Sequence, residues 1–339
     1  MTTGLRHLLW TAAAAAALLA VTYAIPPFRN YQLATAAAYL CATAGLTVLV
    51  GLSGQLSLGH GAVMAVGAYA VALSQNRFAD AGLTGNGVLA ASLALGVLAA
   101  LVAGLIVGLA AARLRGPYLA GVTLAVAVAL PAVTTVWAGV FHSDQGLSVY
   151  LEPPPAGLGY DFPLERWQAW LALAGALLVM LLLANLVRSR FGRSLRAVRD
   201  DEVAARLAGI DVARTQVLAF VVSAGCAGLG GGLMAVLTQS VSPGAYSLTL
   251  SLFLLMAVVV GGLGRLAGAV WGALLLVVLP DLTHTIVASL TLSPAAAQRL
   301  EGNLPLAVFG LTLIVVMIAA PGGISGVVRR LTPASPLRR

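Results

Sequence analysis

The chain has 339 residues, of which 60% are hydrophobic and 9% charged, with a formal net charge of +8. Soluble domains carry about 25% charged residues, so a soluble two-domain protein is excluded and lipid must be the main solvent. All 19 basic residues are arginine, which excludes a lysine-dependent Walker A loop, and Cys41 and Cys226, each inside an apolar run, form neither a disulfide framework nor a zinc cluster.

A helix that crosses the hydrocarbon core needs about 20 mostly apolar residues. That ruler predicts an all-α integral membrane fold of about ten transmembrane helices: 8–25, 32–50, 59–76, 88–112, 117–137, 167–187, 215–238, 249–264, 267–290 and 303–320. The first has the outline of a secretory signal peptide, but no large exported domain follows, so it reads as an uncleaved span. The 249–264 run is short, and Gly51 to Gly61 interrupts the apolar sequence between the second and third spans. Residues 1–331 form one transmembrane domain in this reading. A proline-containing loop, 138–166, covers one mouth, a charged loop, 188–214, lies on the opposite side, and 332–339 is a tail.

Ten spans place both termini on one side. If that side is cytoplasmic, fifteen arginines lie inside and four outside: Arg29, Arg77, Arg166 and Arg299. The reverse orientation inverts the ratio, so the positive-inside rule favours cytoplasmic termini. The net charge therefore calls for no nucleic-acid partner.

An enzyme would need a cluster of acids, histidines or a nucleophile pair. Within the spans only His60, Asp281 and His284 titrate, with Arg265 at a helix end. Asp281 and His284 share a helix face in the outer half of their span, after Pro280. They are either a functional pair or residues of a wet rim. No HExxH motif and no string of acids for proton relay occurs, so neither enzyme catalysis nor proton pumping is expected.

Three stretches are informative. Gly51 to Gly61 brings glycines and polar side chains to membrane depth, where irregular backbone is tolerated only inside protein or along an aqueous cavity. Gln55 and Ser57 are positioned to meet freed backbone groups. The segment is either a tight helix crossing or part of a substrate path, as in the broken helices of transporters; Gly54, Gln55, Ser57, Gly59 and His60 are the path candidates.

In the 188–214 loop, Ser194 begins a helix that Gly209 stops. Leu195, Val198, Val203 and Leu207 alternate there with seven arginines and four acids. The acids Asp200, Asp201 and Glu202 point to docking on a protein of mixed charge, and the arginines alone would fit membrane lipid. The third stretch is small-residue packing at Gly104xxxGly108, Ser223 to Gly232 and Gly264xxxGly268xxxGly272, which lets membrane helices meet backbone to backbone.

Gly54 to Ala62 with Gly67 to Tyr69, Arg190 to Gly209, and Val259 to Gly268 together resemble the motifs of the LivM-type permease of bacterial branched-chain amino-acid ABC importers. The resemblance covers most of residues 35–320. It implies a multi-pass permease subunit of the bacterial inner membrane that forms half of the translocation pathway for hydrophobic amino acids. It also implies a second homologous permease chain, two cytoplasmic ATPases that bind ATP and magnesium, and an extracytoplasmic solute-binding protein. This chain would itself bind no cofactor and no metal. By the same resemblance the 194–209 helix is the coupling helix, with Arg196, Asp201, Glu202, Ala205 and Gly209 in the ATPase-contact segment. Related permeases for urea and short amides share these motifs, so the substrate stays open. A self-contained secondary transporter would require intramembrane acids or a symmetric repeat.

Overall fold

A computed structural model describes residues 3–114, 116–150, 153–159, 162–289 and 294–331; the tail expected over 332–339 lies outside them. Every predicted span coincides with a helix. In order these are α1 (Thr3–Ala24), α2 (Pro27–Leu46), α3 (His60–Asp80), α4 (Asn86–Ala111) and α5 (Pro117–Val136). After the one-turn α6 (Ala138–Phe141) comes α7 (Leu164–Arg188), then the short α8 (Arg190–Asp200) and α9 (Glu202–Leu207). The chain continues through α10 (Val212–Thr238), α11 (Leu248–Gly262), α12 (Leu266–Ser289), α13 (Pro294–Ala319) and α14 (Gly323–Leu331).

Seven described helices are long and apolar enough to cross a membrane, and α13 and α14, bent by 44°, are together long and apolar enough for a broken span or a re-entrant loop. Of the other two expected spans, α1 keeps the apolar run that its sequence carries from Leu8 to Ala24. The other, α3, mixes apolar residues with His60, Gln75 and Asn76 and is largely enclosed by protein. A helix that meets other helices rather than lipid has no need of a continuous apolar surface.

The bundle is built around α10, which packs on α4, α3 and α2, while α2 also packs on α7 and α12. Without a hydrophobic force between helices in lipid, close packing of small residues holds them together. One face of α4 illustrates this: Ser92, Gly96, Ala100, Gly104 and Gly108 are buried, while Leu98, Val102, Ile106 and Leu109 face outward. On α10, a β-carbon at Gly231 would fall on the Met64 carbonyl, so only glycine permits that crossing.

The two ends of the bundle are distinct. At one end the short strands β1 (Leu147–Ser148) and β2 (Ser240–Val241) pair antiparallel and tie the 138–166 loop to the α10–α11 connection. Phe141 of that loop meets the Tyr69 ring edge-on at 5.2 Å. At the other end the 188–214 loop, the end of α2, the α11–α12 turn and α14 come together. Sequence reasoning missed α14. A β-carbon at Gly323 would meet Gly262, and Ser325 of α14 is buried, so this helix folds back onto the α11–α12 hairpin.

The charged loop departs from expectation. Its helix is two helices, α8 and α9, meeting at an extended Asp201 (φ −158°, ψ 111°). Ser189, not Ser194, caps α8, accepting from the Gly192 amide. Gly192 lies where a β-carbon would strike the last carbonyls of α7, so the sharp α7–α8 turn sets the start of the helix. Asp201 then caps α9, its carboxylate accepting from the amides of Val203 (2.8 Å) and Ala204 (3.0 Å). An Asp that satisfies two orphan amides favours a new helix start over continuation. Gly209 (φ +80°) ends α9 as expected.

Candidate functional site

The second span leaves α2 through a π-helical turn, Thr47–Leu52, and then runs irregularly to Gly59 before α3 begins at His60. Gly54 adopts φ +73°, a conformation that suits glycine. The freed backbone donors find partners outside the segment: Leu58 N donates to Thr123 Oγ1 and Gly61 N to Ser251 Oγ, both at 3.0 Å. Gln55 and Ser57 were expected to serve this purpose, but hydroxyls on neighbouring helices do it. Gln55 is buried and its Oε1 has no hydrogen-bond partner among the described residues.

The five path candidates fall into two groups. Ser57, Gly59 and His60 line a small space of about 10 Å³ with Thr123, Phe220 and Ser223, which is room for about one water. Gly59 is pressed against the Thr123 carbonyl, and buried His60 has Nε2 3.2 Å from the Ala42 carbonyl. Gly54 and Gln55 open instead onto a cleft of about 350 Å³ whose other walls include Leu114, Leu119, Arg199, Glu202 and Gln216. The two groups thus line separate spaces.

The ATPase-contact candidates are also divided by burial. Arg196 donates to the Val187 carbonyl at 3.3 Å, tying α8 to α7. Ala205 is buried with Val198 and Val212, so it packs α9 onto the first turn of α10. Glu202 is accessible; its carboxylate accepts from Gln216 Nε2 at 3.0 Å and lies 3.6 Å from Arg206. Of the four apolar positions, Leu195 and Val198 are buried, whereas Val203 is 67% and Leu207 86% exposed. These two lie four apart on one face of α9. The break at Asp201 turns that face outward, and sequence alone gives no sign of which apolar pair it presents.

Arg199 joins the loop to the broken segment. Its Nη1 donates to the Gly51 carbonyl at 2.7 Å, while Nε and Nη2 hold Asp200 Oδ1 at 3.0 and 2.8 Å. At the opposite end, Asp281 pairs with Arg29 at 3.4 Å, with both side chains partly exposed. The Asp281–His284 face is thus part of a charged rim.

A bundle of apolar helices, with an irregular segment enclosed by protein beside a charged, partly apolar loop at one end, has the make-up of an integral membrane permease. Residues 28–320 match the family described as the branched-chain amino acid transport system / permease component. The chain belongs to that family, a transport component and not an enzyme. It is 34% identical over 266 residues to the high-affinity branched-chain amino acid transport system permease protein LivM of Escherichia coli strain K12, covering 72% of this chain and 61% of the relative. It is 27% identical over 170 residues to the probable permease protein LivH of Methanocaldococcus jannaschii, covering 49% and 51%. It is also 32% identical over 144 residues to the L-arabinose transport system permease protein AraH of Escherichia coli, covering 41% and 42%. The chain thus spans about three-fifths of the length of the curated LivM relatives. No solved structure gives a significant match.

Proposed function

We propose that this chain is a single transmembrane permease domain forming half of the pathway through which an ATP-driven importer carries branched-chain amino acids across the bacterial inner membrane. A second homologous permease completes the pathway, two cytoplasmic ATPases hydrolyse ATP, and an extracytoplasmic binding protein delivers the substrate. The arginine distribution supports cytoplasmic termini and a cytoplasmic 188–214 loop.

The observation that carries the reading is the outward pair Val203 and Leu207 on α9, set beside Glu202 and Arg206. Two aliphatic side chains ringed by charges suit a shallow protein groove, where an apolar centre and a polar rim make the contact. A lipid-binding surface has no use for Glu202 at its centre. ATP hydrolysis below α9 would then move the broken segment. Gly54, Gln55, Ser57, Gly59 and His60 would lie along the path, and the two spaces they line would join during the cycle.

Uptake by proteoliposomes holding this chain and its partner subunits tests the substrate class. ATP-dependent accumulation of L-leucine, L-isoleucine and L-valine, with none of urea, acetamide or L-arabinose, is the expected result. Uptake of urea or acetamide in place of leucine would overturn the substrate assignment. Leucine uptake unaffected by the absence of ATP would overturn the ATP-driven mechanism.

A further inference from the structure

Three chain segments far apart in sequence converge on one side chain. Arg199, in the last turn of α8, donates to the Gly51 carbonyl at 2.7 Å. That carbonyl lies in the last turn before the chain becomes irregular, so its acceptor has lost the regular helical partner. The stem of Arg199 lies on Gly54, where a β-carbon would come within 2.9 Å of Arg199 Cγ. Gly264, in the α11–α12 turn, packs directly on Gly51; a β-carbon there would be 3.1 Å from the Gly51 carbonyl oxygen and 3.9 Å from Arg199 Nη1. The remaining guanidinium donors hold Asp200, next to the Asp201 hinge between α8 and α9.

We propose that Arg199 is the positioning residue that transmits displacement of the α8–α9 loop to the broken segment and the α11–α12 turn. The inference rests on the importer reading above and adds the element through which hydrolysis reaches the path. The geometry suits that task. Leu195 and Val198 hold α8 against the bundle, leaving Arg199 as the lever at its end. The planar guanidinium grips Asp200 and Gly51 at once, so a rotation at the hinge pulls on the Gly51 carbonyl. The absence of side chains at Gly51, Gly54 and Gly264 leaves the lever in direct contact with backbone.

The test uses the whole complex in proteoliposomes with a leucine-loaded binding protein. It measures leucine accumulated per ATP hydrolysed, basal ATP hydrolysis and recovery of the ATPases with the permease. Arg199→Ala is expected to lower leucine per ATP by about tenfold, in the range of ordinary coupling between sites, with basal hydrolysis and ATPase recovery unchanged. Arg199→Lys, which keeps a donor within reach of Gly51, is expected to restore most of the loss. Coupling in Arg199→Ala equal to wild type would overturn the proposal. So would a parallel loss of assembly and basal hydrolysis in both variants, which marks a merely structural residue, or a lysine variant as uncoupled as the alanine one. A wild-type complex that hydrolyses ATP but never accumulates leucine would overturn the importer reading itself, and the inference with it.

Discussion

Gly59 and the carbonyl of Thr123 are in such close contact that no β-carbon fits between α5 and the start of α3. Thr123 also accepts the Leu58 amide through its hydroxyl, so this one helical turn of α5 both satisfies and confines the broken segment. Gly59→Leu is therefore expected to cost about 1–3 kcal/mol through overpacking. Transport should be lost while the protein still reaches the membrane, as judged by uptake alongside membrane abundance. Uptake equal to wild type would mean that the segment yields freely at this contact.

The two ends of the bundle can be assigned by labelling. Ser148 pairs with Ser240 in the small ribbon, and Ser242 follows directly, so both mark one end. Ser194 is on α8 at the other. Both native cysteines are buried, so they should leave a low background. Cysteines introduced at Ser148 and Ser242 are expected to react with an impermeant reagent in intact cells, and one at Ser194 only after permeabilisation. Labelling of Ser194 in intact cells would reverse the orientation and remove the ATPase from that face.

How much of this arrangement the sequence reveals depends on the physical demand at each position. Lipid requires long apolar runs and penalises arginine, so the helices and their ends are legible. Glycines and polar residues that interrupt an apolar run make the Gly51–Gly61 break equally legible. The split of the charged helix is harder to read, because Ser189 and Ser194 are equally good caps and Asp201 is compatible with either a helix interior or a helix start. The steric fit of Gly192 against α7 and the two amides accepted by Asp201 decide it. That same split determines that Val203 and Leu207 face outward. The hydroxyls that serve the broken segment, on Thr123 and Ser251, lie 65 and 190 residues from the amides they meet, beyond the reach of local pattern. The fold-back of α14 has a readable signal in Gly322-Gly323 followed by Ile324, Val327, Val328 and Arg329-Arg330.

Charge reversal on α9 separates protein docking from lipid binding. Glu202→Arg preserves helix propensity and adds a basic residue, which strengthens association with an anionic surface by about 1 kcal/mol. A like-charge clash inside a protein interface instead costs several kcal/mol. The expected outcome is a permease that stays in the membrane, recovers less ATPase on purification and shows weaker leucine-stimulated hydrolysis. Unchanged ATPase recovery would take Glu202 out of the interface and favour lipid as the surface the loop meets.

The rim pair Arg29–Asp281 is expected to matter little. A partly exposed ion pair contributes about 0–1 kcal/mol, so Asp281→Asn should leave thermal stability and leucine uptake within about twofold of wild type. A complete loss of uptake in this variant would place Asp281 on the substrate path.

The most direct test of the account is the double substitution Val203→Ser and Leu207→Ser on α9. Both side chains are exposed in the isolated chain, so their loss removes no internal packing and the permease should fold and insert normally. If they fill an ATPase groove, burying a large aliphatic side chain contributes about 1.5–3 kcal/mol, and losing two should weaken ATPase association by about a hundredfold or more. ATP-dependent leucine accumulation by the reconstituted complex is predicted to disappear with the co-purifying ATPase, at unchanged permease abundance. Wild-type accumulation and wild-type ATPase recovery in the double variant would contradict the account.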